Sequence, residues 1–179
     1  MSAAALGRAQ KLLGDVILST SSFRGDETLV IKAAHVARVM KTLHDDADLA
    51  MDFLVDLTAV DRHALDLSET NTTPRFEVVY HLRSMKSGAR LRVKAQLDDV
   101  LTADGGLDPL SAPEIDTVVP LWPGANWYER EVFDMFGIHF RNHPDPRRIL
   151  LYEEFVGYPL RKDYPKEKRQ PLVRRDGSE

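Results

Sequence analysis

The residue types best able to do chemistry in this 179-residue sequence cluster between positions 127 and 148. His139 and His143 stand four apart, with Glu131, Asp134 and Asp145 close by, a set that could ligate zinc or manganese. Two histidines at that spacing share a face only on a helix. Gly137 precedes them and Pro144 follows, and a residue before proline is biased toward extended backbone. The ligand pair is therefore disfavoured, and the sequence assigns no metal. It holds no Gly-x-Gly-x-x-Gly, phosphate-binding loop or Gly-x-Ser-x-Gly, so nucleotide binding and serine hydrolysis have no support. No catalytic residue is assigned. A small metal-dependent hydrolase using Glu131, Asp134, His139 and His143 stays as a rival, and metal analysis of the purified chain would separate it.

A different chemistry, adhesion, suits the same stretch better. A helix over 127–136 is bounded by Pro123-Gly124 before it and Gly137 after it. Asn126 is expected as N-cap, with Glu129 three residues on completing a capping box. At 100° per residue, Tyr128, Val132, Phe133, Met135 and Phe136 make the apolar arc, with Glu129 at its margin. Arg130, Glu131 and Asp134 make the opposite arc, and Trp127 sits among them. Tryptophan and arginine are frequent anchors in protein interfaces. The plain alternative is that Trp127 packs under the next loop while Arg130 pairs with Asp134 one turn on.

Composition sets the limits around this segment. Cysteine is absent, which excludes disulfides, thiolate zinc and an iron–sulfur cluster held in the usual way. Apolar runs are short and broken by charge, and the N-terminus lacks a signal-peptide core, so a cytosolic protein without a membrane span is expected. The net charge of −4 hides a basic end. Arg161, Lys162, Lys166, Lys168, Arg169, Arg174 and Arg175 face only Asp163 and Glu167 between 161 and 175. The acidic remainder would repel a phosphate backbone, so no nucleic-acid partner is expected.

The elements that must carry the segment read as α+β: a mostly antiparallel sheet with helices on one face, followed by an extended C-terminal arm. The division falls at 1–140 for the domain and 141–179 for the arm. Leu6, Leu12 and Leu13 mark a short first helix. Val16–Leu18 and Thr28–Ile31 read as strands joined across Gly25-Asp26. Val36, Val39, Met40 and Leu43 give one helical stripe over about 33–45. Asp52 to Val60 alternates, with Phe53, Val55, Leu57 and Ala59 on one face. Phe76, Val78, Tyr80 and Leu82, then Leu91, Val93, Ala95 and Leu97, alternate across a short connector containing Gly88; they predict an antiparallel hairpin with one wet face. Val118-Val119 predicts a last short strand. Asp61–Pro74 and Asp98–Pro113 read as polar connectors, the second with room for a helical turn.

Beyond residue 140 the periodicity ends. The last 40 residues hold five of the ten prolines, with Phe140, Tyr152, Phe155, Tyr158 and Tyr164 among them. A free tail is polar and poor in aromatics. This one suits a segment laid across another protein, its aromatics filling pockets and Arg147, Arg148, Arg161 and Lys162 meeting carboxylates. The alternative is an arm wrapping back over its own domain.

Taken together, the run from Val118-Val-Pro-Leu-Trp-Pro-Gly-Ala-Asn-Trp-Tyr-Glu-Arg-Glu to Val132-Phe-Asp-Met-Phe-Gly-Ile resembles the C subunit of bacterial NADH:quinone oxidoreductase, the thirty-kilodalton subunit family of respiratory complex I. His143-Pro-Asp-Pro-Arg-Arg-Ile-Leu and Gly157-Tyr-Pro-Leu-Arg-Lys-Asp-Tyr-Pro resemble that family's arm, and Asp56-Leu-Thr-Ala-Val-Asp61 and Val79-Tyr-His-Leu-Arg-Ser84 its strands. Pro146 departs from an expected leucine. The resemblance covers about 15–165. It implies a cofactor-free, non-catalytic subunit of the peripheral arm, docked on the quinone-site D subunit, on the cytoplasmic side of the bacterial inner membrane. FMN and iron–sulfur clusters would lie in partner subunits, and membrane contact would come only through the complex. The complex would pass electrons from NADH to quinone, coupled to proton translocation. Trp127, Glu129, Arg130, Glu131, Asp134, His143, Arg147, Arg148, Tyr158, Arg161 and Lys162 are the expected interface residues. The nearest rival is the homologous subunit of a membrane-bound nickel–iron hydrogenase or other-donor dehydrogenase; an isolated adaptor is a third.

Overall fold

A computed structural model describes residues 2–63, 74–97 and 112–171. Helix α1 (Ser2–Leu13) leads into β1 (Ile17–Phe23) and β2 (Asp26–Lys32). They form an antiparallel pair turned by Arg24 and Gly25, both at positive φ, as a two-residue hairpin turn requires. A short 3-10 turn at Ala33–His35 continues into α2 (Val36–Asp45), whose buried stripe is Val36, Val39, Met40 and Leu43. Next come β3 (Phe53–Asp61), β4 (Phe76–Arg83) and β5 (Arg90–Leu97), then β6 (Glu114–Asp116), α3 (Ala125–Phe136) and β7 (His139–Arg141).

The main sheet runs β1-β2-β5-β4-β3. Three of its pairings are antiparallel, and β2 lies parallel to β5. The class is α+β as expected. One sheet face carries Leu29, Ile31, Val78, Tyr80, Leu82, Leu91, Val93 and Ala95, buried under helix residues including Ala5, Ala9, Leu13, Val39 and Leu43. Burying such side chains contributes roughly 1.5–3 kcal/mol each for the larger ones. No helix among the described residues is long and apolar enough to cross a membrane.

Two sequence expectations need correction. The alternation of β3 is interrupted by a bulge between Leu54 and Asp56, so Leu54, Leu57 and Ala59 are buried while Phe53 and Val55 are exposed. An extra residue re-aims everything N-terminal to it. Val118-Val119 is not a strand: the Val118 N–H donates to the Glu129 carboxylate and the Val119 N–H to the Thr117 hydroxyl. The strand lies earlier, at β6, parallel to β7. Most of both polar connectors, 64–73 and 98–111, with the expected helical turn, lies outside the described residues, as does 172–179.

Candidate functional site

The candidate site is α3 together with the arm that folds back over it. The helix starts one residue before the expected N-cap. Gly124 is the N-cap, and no side chain caps it. Gly137 ends the helix in the left-handed conformation, its N–H donating to the Phe133 carbonyl. A Cβ on Gly137 would stand 2.5 Å from the Tyr158 ring, so the residue also lets the arm approach.

Glu129 does not cap the helix. Its carboxyl accepts from the Val118 N–H at 2.7 Å and lies 2.5 Å from the Thr117 hydroxyl, tying the preceding loop to α3. Burial pushes its pKa up to about 7, against the opposing pull of those two hydrogen bonds. Beside it, His143 is also buried. Its Nδ1 accepts the Asp145 N–H at 2.9 Å and its Nε2 lies 3.2 Å from the Asn126 carbonyl. That pattern fits the neutral Nε2–H tautomer, and burial lowers the imidazole pKa. The 3.8 Å approach of His143 to Glu129 is therefore not an ion pair. A cavity of about 30 Å³ opens here, lined by Glu129, Arg130, Phe133, His139, Phe140, His143 and Pro146. The two histidines of the rival metal reading diverge: His139 is exposed with its ring edge-on to Phe133, and His143 points inward.

On the outer side of α3, Asp134 is fully buried. It accepts consecutive N–H groups from Ile149, Leu150 and Leu151 at 3.2, 2.8 and 2.8 Å, and Arg148 at 2.6 Å. Burial alone would raise its pKa, but these donors outweigh it and hold the carboxyl below its usual range. Arg130 does not pair with Asp134. It donates to the carbonyls of Arg147 and Arg148, both at 3.0 Å, and meets Asp145 at 3.3 Å. Arg148 also lies over the Tyr158 ring.

The far end of the arm is fastened at the edge of the main sheet. Arg161, which is buried, donates to the Phe136 carbonyl at 2.5 Å and sits between the rings of Phe76 and Tyr158, 5.3 and 4.8 Å from their centroids. Burial lowers its pKa, and cation–π contact with both faces compensates. The Lys162 N–H donates to Asp61, which takes both arms of the Arg75 guanidinium; Arg75 also meets Asp163 at 2.9 Å. Sequence reasoning passed over Thr117, Asp61, Arg75 and Asp163. The one signal was Asp61 closing an apolar strand.

The expected interface residues thus separate into two groups. Glu129 and Asp134 are fully buried, and with Arg130, His143, Arg148 and Arg161 they hold this chain's own loop and arm. In the folded chain these six make internal contacts, in addition to any role at an interface. Trp127, Glu131, Arg147 and Lys162 are exposed, and Tyr158 is half-buried over Gly137. Of the two readings of the arm, wrapping back over its own domain describes its course from 147 to 162.

The family model described as respiratory-chain NADH dehydrogenase, 30 Kd subunit, matches residues 29–170. The NADH-quinone oxidoreductase C subunit of Citrifermentans bemidjiense is 42% identical over 161 residues, covering 90% of this chain and 88% of that protein. The same subunit of Rhodobacter capsulatus is 44% identical over 157 residues, covering 88% and 69%. A chain in the solved structure of the membrane-bound sulfane sulfur reductase, an archaeal respiratory membrane complex, matches with a TM-score of 0.66 and 19% identity. It covers 92% of this chain and 86% of that one, a likeness of fold.

Proposed function

The chain belongs to the family of the 30-kDa subunit of respiratory-chain NADH dehydrogenase, and from that premise we propose that it is a structural subunit of the peripheral arm of an NADH:quinone oxidoreductase. It binds no cofactor and performs no electron transfer itself. It docks on the quinone-site D subunit, on the cytoplasmic side of the bacterial inner membrane. The partners hold FMN and the iron–sulfur clusters, and the assembly passes electrons from NADH to quinone while translocating protons.

The observation that carries the docking role is the fastened arm. Asp134 holds three successive arm N–H groups and Asp61 the N–H of Lys162, so the arm is ordered before any partner arrives. A pre-ordered segment loses less conformational entropy on binding than a free tail does. Trp127, Glu131, Arg147, Leu150, Leu160 and Lys162 then stand outward along α3 and the arm, the mixture of aromatic, apolar and charged groups that interfaces favour.

The test is assembly. The Arg147 side chain is exposed and, among the described residues, is paired with neighbouring Asp145 alone, so Arg147→Ala should leave the isolated chain stable yet reduce recovery of NADH:quinone oxidoreductase activity with the tagged chain. Arg148→Ala should reduce both. If the doubly substituted chain assembles and the complex turns over at the normal rate, the docking assignment fails.

A further inference from the structure

The sheet face turned away from the core carries a second feature, at the strand ends opposite the arm. Arg83 on β4 and Arg90 on β5 are direct cross-strand partners, and both are exposed on the face opposite Leu82 and Leu91. Like charges in that position repel. No carboxylate among the described residues reaches either one. Asp26, in the same groove as Arg90, meets Arg92 instead, at 3.9 Å. Flanking the arginines are Phe53, the register partner of Arg83 on β3, and Phe23, the register partner of Asp26 on β1. Phe53 is 49% exposed, Phe23 69% and Met85 63%. The Met85 N–H donates to Asp52 at 2.8 Å, seating that turn beside the start of β3. Next to this row a groove of about 340 Å³ is lined by Asp26, Val55, Asp56, His81, Arg90 and Arg92, among others.

We propose that Arg83 and Arg90, with Phe23, Phe53 and Met85 around them, form a second docking surface for an acidic segment of a neighbouring subunit, one carboxylate flanked by apolar side chains. The missing counter-charge selects the carboxylate, because an anion between the two guanidinium groups turns a repulsive pair into two attractive ones. The exposed rings select the apolar flanks. This surface rests on the reading of the chain as a subunit of a larger complex, yet it is separate from the arm. Asp61, Phe76 and Leu97, near the arm's anchor, lie at the opposite ends of β3, β4 and β5.

The experiment uses the full chain, purified in its assembled complex, carrying photoreactive p-benzoylphenylalanine at Phe53 or, separately, at Leu160 in the arm. A cross-link from position 53 to an acidic segment of another subunit is expected. Arg83→Glu with Arg90→Glu should weaken association by about tenfold at low ionic strength, with a smaller loss at high salt. Arg90→Gln alone should leave the isolated chain as stable or slightly more so, since it removes the cross-strand repulsion. Cross-linking from 160 but not from 53, or from 53 only to lipid or to a second copy, overturns the proposal and leaves the proposed function standing. Failure of the chain to enter any complex overturns both.

Discussion

Asp134 and Arg148 meet at 2.6 Å although they stand fourteen positions apart, and the same carboxylate receives the next three backbone N–H groups of the arm. The helix face that reads from sequence as an open charged surface is in the folded chain the seat of its own C-terminal segment.

Removing that carboxylate should unfasten the arm. Asp134→Ala takes the carboxylate from Arg148, which keeps only the Gly157 carbonyl and its ring contacts, and strands three N–H groups; breaking a buried pair from one side costs about 3–5 kcal/mol. The depressed pKa of Asp134 means that its stabilisation is present above the unfolded carboxylate value and lost as pH falls through the folded one. Urea denaturation, together with limited proteolysis of 147–162, measures both effects. Unchanged protease resistance would contradict the fastening.

Glu129 should give the opposite pH dependence. Its folded pKa of about 7 lies above the unfolded 4.5. The stabilisation from the buried neutral acid is therefore whole below 4.5 and fades as pH rises through about 7, by a total on the order of 3 kcal/mol. Glu129→Gln keeps the shape and both hydrogen bonds without the charge. Denaturation midpoints taken across that window should fall for the parent and stay level for the variant.

Gly137→Ala should destabilise on two counts. The left-handed conformation at φ 71° disfavours any side chain, by about 1 kcal/mol, and the new methyl drives Tyr158 from its seat. A lowered Tm with increased exposure of the arm is the expected result.

Arg161→Lys should cost about 1–3 kcal/mol, because an ammonium cannot lie flat between the rings of Phe76 and Tyr158 while donating to the Phe136 carbonyl. Thermal denaturation checks it, and a variant as stable as the parent would deny the stacked geometry its role.

The sheet was legible where each residue's partner is its own neighbour in the pattern. Leu91, Val93, Ala95 and Leu97 alternate strictly and are buried strictly. The bulge in β3 was not legible, since Phe53, Val55, Leu57 and Ala59 also alternate without a gap. At the site, the spacing of Asn126 and Glu129 fits a capping box, yet Glu129 is drawn to Val118, eleven residues away. Apart from Arg148, the donors to Asp134 are main-chain N–H groups, which any residue but proline supplies. No sequence pattern announces them.

The parallel seam between β2 and β5 has a consequence for how the chain comes to order. Its two strands are separated by all of α2, β3 and β4, so the first hairpin has no neighbour on its inner side until Leu97 has been synthesised. Closure across so long a span is slow. Arg161 lies still further along the chain than Leu97, so its clasp over Phe76 cannot form on the growing chain until the strand that completes the seam has been made.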